Sequence, residues 1–378
     1  MIYLDYAAAT PVRQEVRKVV AEAGRYFANP GSRHNAGKKA KEILEHSRTV
    51  IKRIINAKEK DKIIFTSSGT ESINLALKGV AHAYQRKGKH IITSKVEHKA
   101  VLETCKYLEQ EGFLVTYLDV DKYGRVDPQE VEKVITSKTI LISIMYANNE
   151  VGTIQPVEEI ANIAHKKKVL FHTDACQAGY LNLDIQKLGV DLLTLNSNKI
   201  YGPKGAGLLY VKEGVELQPL IHGGGQEYGL RSGTENVPAI MGFAKALELA
   251  QQEKSKENKR LKELRDYFVK EVMKKIPTVS LNGYFIERLP NIANVSFTGL
   301  EAETILSYLN SREIYASAGS ACTANEIEIS HVLKAMGIPD KLARGSIRFS
   351  FGKYTSKKDI DIVIKLIVQV VSSLRKVF

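Results

Sequence analysis

Between residues 62 and 212 short β-branched runs alternate with longer stretches whose apolar positions recur three and four apart. The apolar runs at 63–65, 91–93, 114–118, 140–145, 169–172, 192–195 and 207–211 predict strands, and 72–84, 100–111 and 157–167 carry helical spacing. Strands that alternate with helices imply an α/β fold with a mostly parallel sheet covered on both faces. Ligands of such sheets bind beyond the carboxyl ends of the strands, so the residues that follow each run are the ones to inspect.

From 248 to 275 the pattern changes to a highly charged run in which Leu261, Leu264, Phe268 and Val272 keep helical spacing. It predicts a long exposed helix leaving the first unit. Beyond it the pattern predicts a strand at 294–297, a helix at 301–311, strands at 314–317 and 346–351, and a final helix. That helix starts at Ser356, with Asp359 as a capping-box acid and Ile360, Ile364, Ile367, Val371 and Leu374 as its apolar stripe. The expected division is a large α/β domain over 16–249 and a smaller α+β domain built from 1–15 and 250–378. No internal repeat or low-complexity segment is present.

Composition narrows the function classes. With 378 residues, 44% hydrophobic and 26% charged, the chain has material for an enzyme-sized core and is too apolar for a disordered one. The excess of 55 Lys and Arg over 42 Asp and Glu gives a formal charge of +13. These charges are scattered and form no basic block with interleaved aromatics, which argues against nucleic acid as the partner. The cysteines Cys105, Cys176 and Cys322 have no CxxC spacing and are odd in number, so neither a disulfide framework nor a metal site is expected. The N-terminal residues lack the basic then apolar order of a secretory leader, and no run reaches about 18 apolar residues, so a cytoplasmic protein without a membrane span is expected.

The strand ends carry candidate chemistry. Ser67-Ser68-Gly69-Thr70 follows the first strand and opens a helix, where exposed amides and the helix dipole favour an anion such as phosphate. An ordinary helix cap would use the same residues. Asp174 ends one strand and Lys199 follows another; a carboxylate and an amine so placed suit the two poles of a pyridinium aldehyde, although a turn aspartate and a surface lysine would read alike. His98 follows the strand at 91–93 and suits stacking on an aromatic ring, with a capping or core histidine as the alternative. Asn148, Asn149 and Gln177 bring amides suited to a phenolic oxygen.

With these residues in view the chain resembles the NifS/IscS-like cysteine desulfurases, fold-type-I pyridoxal-phosphate enzymes of the class V aminotransferase superfamily. The likeness runs from Leu4-Asp5-Tyr6-Ala7-Ala8-Ala9-Thr10-Pro11 to Ser346-Ile347-Arg348-Phe349-Ser350. It includes Asn29-Pro30-Gly31-Ser32, Glu97-His98-Lys99, Asn148-Asn149-Glu150-Val151-Gly152, His172-Thr173-Asp174-Ala175, Arg231-Ser232-Gly233-Thr234 and Gly319-Ser320-Ala321-Cys322.

The resemblance implies an aspartate aminotransferase-like fold and the cofactor pyridoxal 5'-phosphate. Lys199 would form the Schiff base, Asp174 would keep the pyridine nitrogen protonated, and His98 would stack on the ring and move protons. Asn149 and Gln177 would lie near the phenolic oxygen. Gly69 and Thr70 would hold the phosphate, Thr234 would reach it from a neighbouring subunit of a homodimer with shared active sites, and Arg348 would clamp the substrate carboxylate. Cys322, among small residues, resembles the nucleophile that takes sulfur from L-cysteine, leaving L-alanine; an unidentified sulfur-acceptor protein is then implied. Members of the group read Ser-x-His-Lys at the lysine, whereas this chain reads Asn196-Ser197-Asn198-Lys199, two asparagines that donate to phosphate without positive charge. The sequence given stops at Phe378, short of the C-terminal extension that bacterial relatives use toward an iron–sulfur scaffold protein, so the identity of that partner is not expected to carry over. A selenocysteine lyase or another class V lyase or transaminase is the alternative enzyme, and a cofactor-poor sulfur-relay or binding protein the alternative outside enzymes.

Overall fold

A computed structural model describes residues 1–319 and 329–377. Seven strands form the central sheet in the spatial order 62–66, 207–211, 192–196, 170–174, 139–143, 90–94, 114–118. All neighbours are parallel except those of Gly207–Val211, which runs antiparallel to both strands beside it. Six strands therefore end on one edge of the sheet, where the loops with His98, Asn149, Gln177 and Lys199 begin.

The two faces of the sheet follow from period-two alternation. Ile63, Phe65, Ile92, Leu208 and Tyr210 join one apolar cluster, and Ile64, Ile91, Leu209 and Val211 join the cluster on the opposite face. Helices cover both, which is why His90–Ser94 and Thr139–Ser143 are buried throughout, their His, Thr and Ser residues included.

The charged run at 248–275 is not a separate helix. It is the second part of one 39-residue helix, Val237–Lys275, capped by the Asn236 side chain and carrying Pro238 in its first turn. Its beginning buries Ile240, Phe243 and Leu247 in the sheet's core, and its end buries Leu261, Phe268 and Val272 in a second core. The change of pattern marks a change in what the helix packs against. In that second core, an antiparallel sheet of Val279–Asn282, Ile292–Phe297 and Ser346–Ser350 packs with helices Ala302–Asn310 and Lys357–Val377. The capping box is formed: Ser356 N donates to Asp359 Oδ2 at 2.9 Å and Asp359 N donates to Ser356 Oγ at 3.2 Å.

The N-terminal segment connects these parts. Ile2–Tyr3 pairs in parallel with Ile314–Tyr315, and Leu4 is fully buried in the second core. Farther on, Thr10 N donates to Asn198 O at 2.9 Å and Arg13 N to Tyr201 O at 3.1 Å, which lays residues 5–10 beside the lysine turn. Among the described residues no helix is long and apolar enough to cross a membrane.

Candidate active site

The carboxyl edge of the sheet encloses a cavity of about 210 Å³. Gly69, Thr70 and His98 line it, with Asn149, Asp174, Gln177, Asn196, Lys199 and Arg348. Nine residues expected from the sequence are thus brought together. A larger cavity of about 550 Å³, lined by Tyr3, Tyr6, Arg17 and Lys204 among others, contains none of them. Asn198 and Thr234 do not line the central cavity. Thr234 is exposed, borders another cavity with Ser67 and Arg231, and has Asn29 Nδ2 at 3.5 Å from its Oγ1. Cys322 lies outside the described residues.

Each group is held by its local structure. Lys199 closes a single helical turn, Ser197–Lys199, and its Nζ donates to the carbonyl oxygens of Ala7 at 2.9 Å and Ala8 at 2.5 Å. Gln177 Nε2 donates to the same Ala7 carbonyl at 2.9 Å, leaving the amide's second hydrogen for another acceptor. Asp174 ends its strand and accepts from Cys176 N at 2.9 Å. His98 caps helix Lys99–Gln110, its Nδ1 accepting from Ala100 N at 3.1 Å, so the neutral ring carries its proton on Nε2. That histidine thus caps a helix and also lines the cavity.

The helix terminus beside it is capped as well. Ser68 is the cap of Gly69–Tyr84, its Oγ accepting from Glu71 N at 3.2 Å, while Glu71 accepts from Ser67 N at 2.8 Å. The first-turn amides at Gly69 and Thr70 have no intrahelical acceptor and suit an anion. Glycine at 69 has a steric cause as well, since a Cβ there would sit 2.7 Å from Cys176 Sγ.

Arg348 is 1% exposed. Its Nη2 donates to Asp5 Oδ1 at 2.6 Å, its Nη1 to Asn149 O at 3.0 Å, and its buried Nε has no hydrogen-bond partner. A buried guanidinium with an unused donor beside the cavity fits a carboxylate ligand.

Several contributors stand in the quoted motifs without a role that the motif itself assigns. Asp5, Ala7 and Ala8 lie in the N-terminal motif, but two of them act through backbone carbonyls, for which side-chain chemistry gives no signal. His172 is fully buried with Nδ1 2.8 Å from Ser143 Oγ and Nε2 3.0 Å from Thr194 Oγ1; burial pulls it down to about 4 and keeps it neutral. Glu97, beside His98, accepts from Ser94 Oγ at 2.6 Å and from Met145 N at 3.0 Å, and burial pushes its carboxyl up to about 8.

A carboxylate and a lysine on one sheet edge, with a helix terminus at hand for phosphate, define the class of α/β enzyme to which the class-V aminotransferases belong. The class-V aminotransferase family matches residues 2–363, and the chain belongs to it, within the cysteine desulfurase group. Cysteine desulfurase IscS of Dictyoglomus turgidum is 50% identical over 100% of this chain and 96% of that protein. A solved NifS-like protein superposes with a TM-score of 0.92 at 40% identity, covering 98% of this chain and 99% of the other. SspA in complex with cysteine superposes with a TM-score of 0.82 at 38% identity, over 94% and 100% of the two chains. Enzymes of this family and group use pyridoxal phosphate.

Proposed function

We propose that this chain is a pyridoxal-phosphate-dependent cysteine desulfurase that converts L-cysteine to L-alanine and keeps the sulfur as a persulfide on Cys322, for supply to iron–sulfur clusters or to thiolated cofactors or tRNA. The observation that carries the reading is the convergence of Lys199, Asp174, His98 and Arg348 on one cavity.

The donor set suits the cofactor. Lys199 would tether its aldehyde, Asp174 would face the pyridine nitrogen, the Gly69–Thr70 amides would hold its phosphate, and the Asn149 and Gln177 amides would meet its phenolic oxygen. Asn196, in the cavity wall, would add a neutral donor. Thr234 would serve the neighbouring subunit of a homodimer, and Asn198, whose buried Oδ1 lacks a partner, would support the lysine turn. When bound, the group supplies an electron sink that makes the substrate Cα proton removable.

Arg348 binds the substrate carboxylate and so fixes which bond at Cα faces the bases. The Lys199 amine takes that proton, and His98 Nε2, which carries a hydrogen, can give one back. The Cys322 thiolate attacks the substrate sulfur, so that an S–S bond forms as the C–S bond breaks. The electron pair left on carbon takes a proton to give the methyl group of alanine, and the oxidation of sulfur balances the reduction of carbon.

The visible spectrum of purified protein before and after L-cysteine, with alanine measured in parallel, tests the reading. A Schiff-base band that shifts on addition, with alanine formed, is expected. A colourless protein would favour the sulfur-relay alternative, and a band without alanine would favour another class V activity.

A further inference from the structure

The chain on either side of residues 320–328 is fastened to the loops that carry the reacting groups. Ser330 Oγ donates to Glu150 Oε2 at 2.5 Å, and the same hydroxyl accepts from the amides of Val332 at 3.2 Å and Leu333 at 3.3 Å. His331 Nε2 donates to the carbonyl oxygen of Glu97 at 2.9 Å. Val332 and Leu333 are almost fully buried against Val96 and Val151.

Those contacts fall on Val96 and Glu97, which immediately precede His98, and on Glu150 and Val151, which immediately follow Asn149. On the other side, Arg348 N donates to Ser317 O at 2.7 Å. A Cβ built on Gly319 would lie 3.6 Å from Glu150 Oε2 and 3.7 Å from the Ser330 Cβ, so both described flanks meet at this one carboxylate. Glu150 is itself 1% exposed. A buried carboxylate needs its hydrogen bonds, and a short charge-assisted one holds its partner firmly.

We infer that Ser330 and Glu150 are positioning residues for sulfur transfer: their hydrogen bond, seconded by His331 on Glu97, sets the chain flanking Cys322 in register with His98, Asn149 and Arg348. The inference rests on the desulfurase reading above. Neither residue touches substrate. Their effect is on where the thiol is delivered, and a displacement of about 1 Å at a reacting pair can cost on the order of a hundredfold in rate.

The test compares full-length holoenzyme with Ser330→Ala and Ser330→Thr, the second of which keeps the hydroxyl. In Ser330→Ala, kcat for alanine and the single-turnover loading of sulfur on Cys322 should both fall about tenfold or more. KM for cysteine should stay within about twofold, because Arg348 and Asn149 remain in place. The cofactor band should be unchanged, and Ser330→Thr should recover most of the rate. A wild-type rate in Ser330→Ala overturns the inference, as does a loss that threonine does not restore. It falls too if KM, the cofactor band or the cooperative melt moves with kcat, since the hydroxyl would then be holding the fold. Wild-type protein that forms no alanine would instead refute the desulfurase reading.

Discussion

Buried Arg348 and partly buried Asp5 form an ion pair, with Nη2 2.6 Å from Oδ1, across almost the whole length of the chain. The pair ties the last strand of the small sheet to the N-terminal segment whose next carbonyls hold Lys199. Asp5 and the Asn149 carbonyl each engage one terminal nitrogen of the guanidinium and fix its plane. The Arg348 guanidinium and the Lys199 amine are thus set by one short stretch of backbone.

Replacing Arg348 with lysine keeps a charge but loses the planar fork. Hydrogen bonds to charged groups contribute about 1.5–3 kcal/mol, so KM for cysteine should rise about tenfold to a hundredfold in Arg348→Lys. Steady-state alanine formation measures it. An unchanged KM would remove Arg348 from substrate binding.

Lys199 and Lys204 are the two lysines of the turn after the strand Leu192–Asn196, and only Lys199 lines the cavity with Asp174. Lys204 is exposed and borders the larger, separate cavity. Borohydride reduction followed by peptide mapping should place a pyridoxyl label on Lys199, with none after Lys199→Ala. A label on Lys204 would refute the assignment.

Which residues gather at the edge was legible in the sequence because each but Arg348 ends or follows an apolar run, and parallel strands bring such positions together; Arg348, inside a strand of the smaller sheet, was expected only from the family resemblance. What holds them was not. The Ala7 and Ala8 carbonyls carry no residue-type signal, and Asp5 meets Arg348 across a separation that no local pattern reports. The helix starting at Val237 was obscured because its pattern changes where its packing partner changes. The strand Val279–Asn282 was missed for a related reason: its first three residues are only half-buried, and its apolar alternation is too short to stand out.

His172 gives a pH signature. Its folded value of about 4 lies below the ordinary value of 6.5, so the unfolded chain binds the extra proton in that window. Stability from this group is fully present above 6.5 and is lost as pH falls toward 4, by about 3 kcal/mol at most. In His172→Gln, an uncharged side chain that keeps hydrogen bonding, Tm should depend less on pH between 6.5 and 4 than in wild type. Parallel melting curves for the two proteins would rule out this role.

Asp174→Asn separates charge from hydrogen bonding at the same strand end. The amide oxygen can still accept from Cys176 N, which Asp174 now does at 2.9 Å, so folding should be preserved. The amide cannot hold a pyridine nitrogen protonated as a carboxylate does. Alanine formation should therefore fall by about a hundredfold or more with the melting temperature little changed. Activity within a few-fold of wild type would show that Asp174 does not set the electronics of the site.

The two described thiols, Cys105 and Cys176, sit where burial opposes ionisation. Burial pushes Cys105 up to about 12, and Cys176 is raised well above its ordinary value by burial beside Asp174. A thiol at about 12 is ionised roughly once in ten thousand molecules at pH 8, and the thiolate is the attacking form. Neither residue suits attack on sulfur, in keeping with Cys322 as the proposed acceptor. Incubation with cysteine and no reductant, followed by mass spectrometry of peptides, should show one added sulfur on the peptide with Cys322 and none on the other two. Cys322→Ala and Cys322→Ser should keep the cofactor band and its response to cysteine while losing alanine formation. Sulfur on Cys105 or Cys176 would refute the assignment of the persulfide to Cys322, and a wild-type rate without Cys322, with no added sulfur on any cysteine, would favour a lyase in which no enzyme thiol takes part.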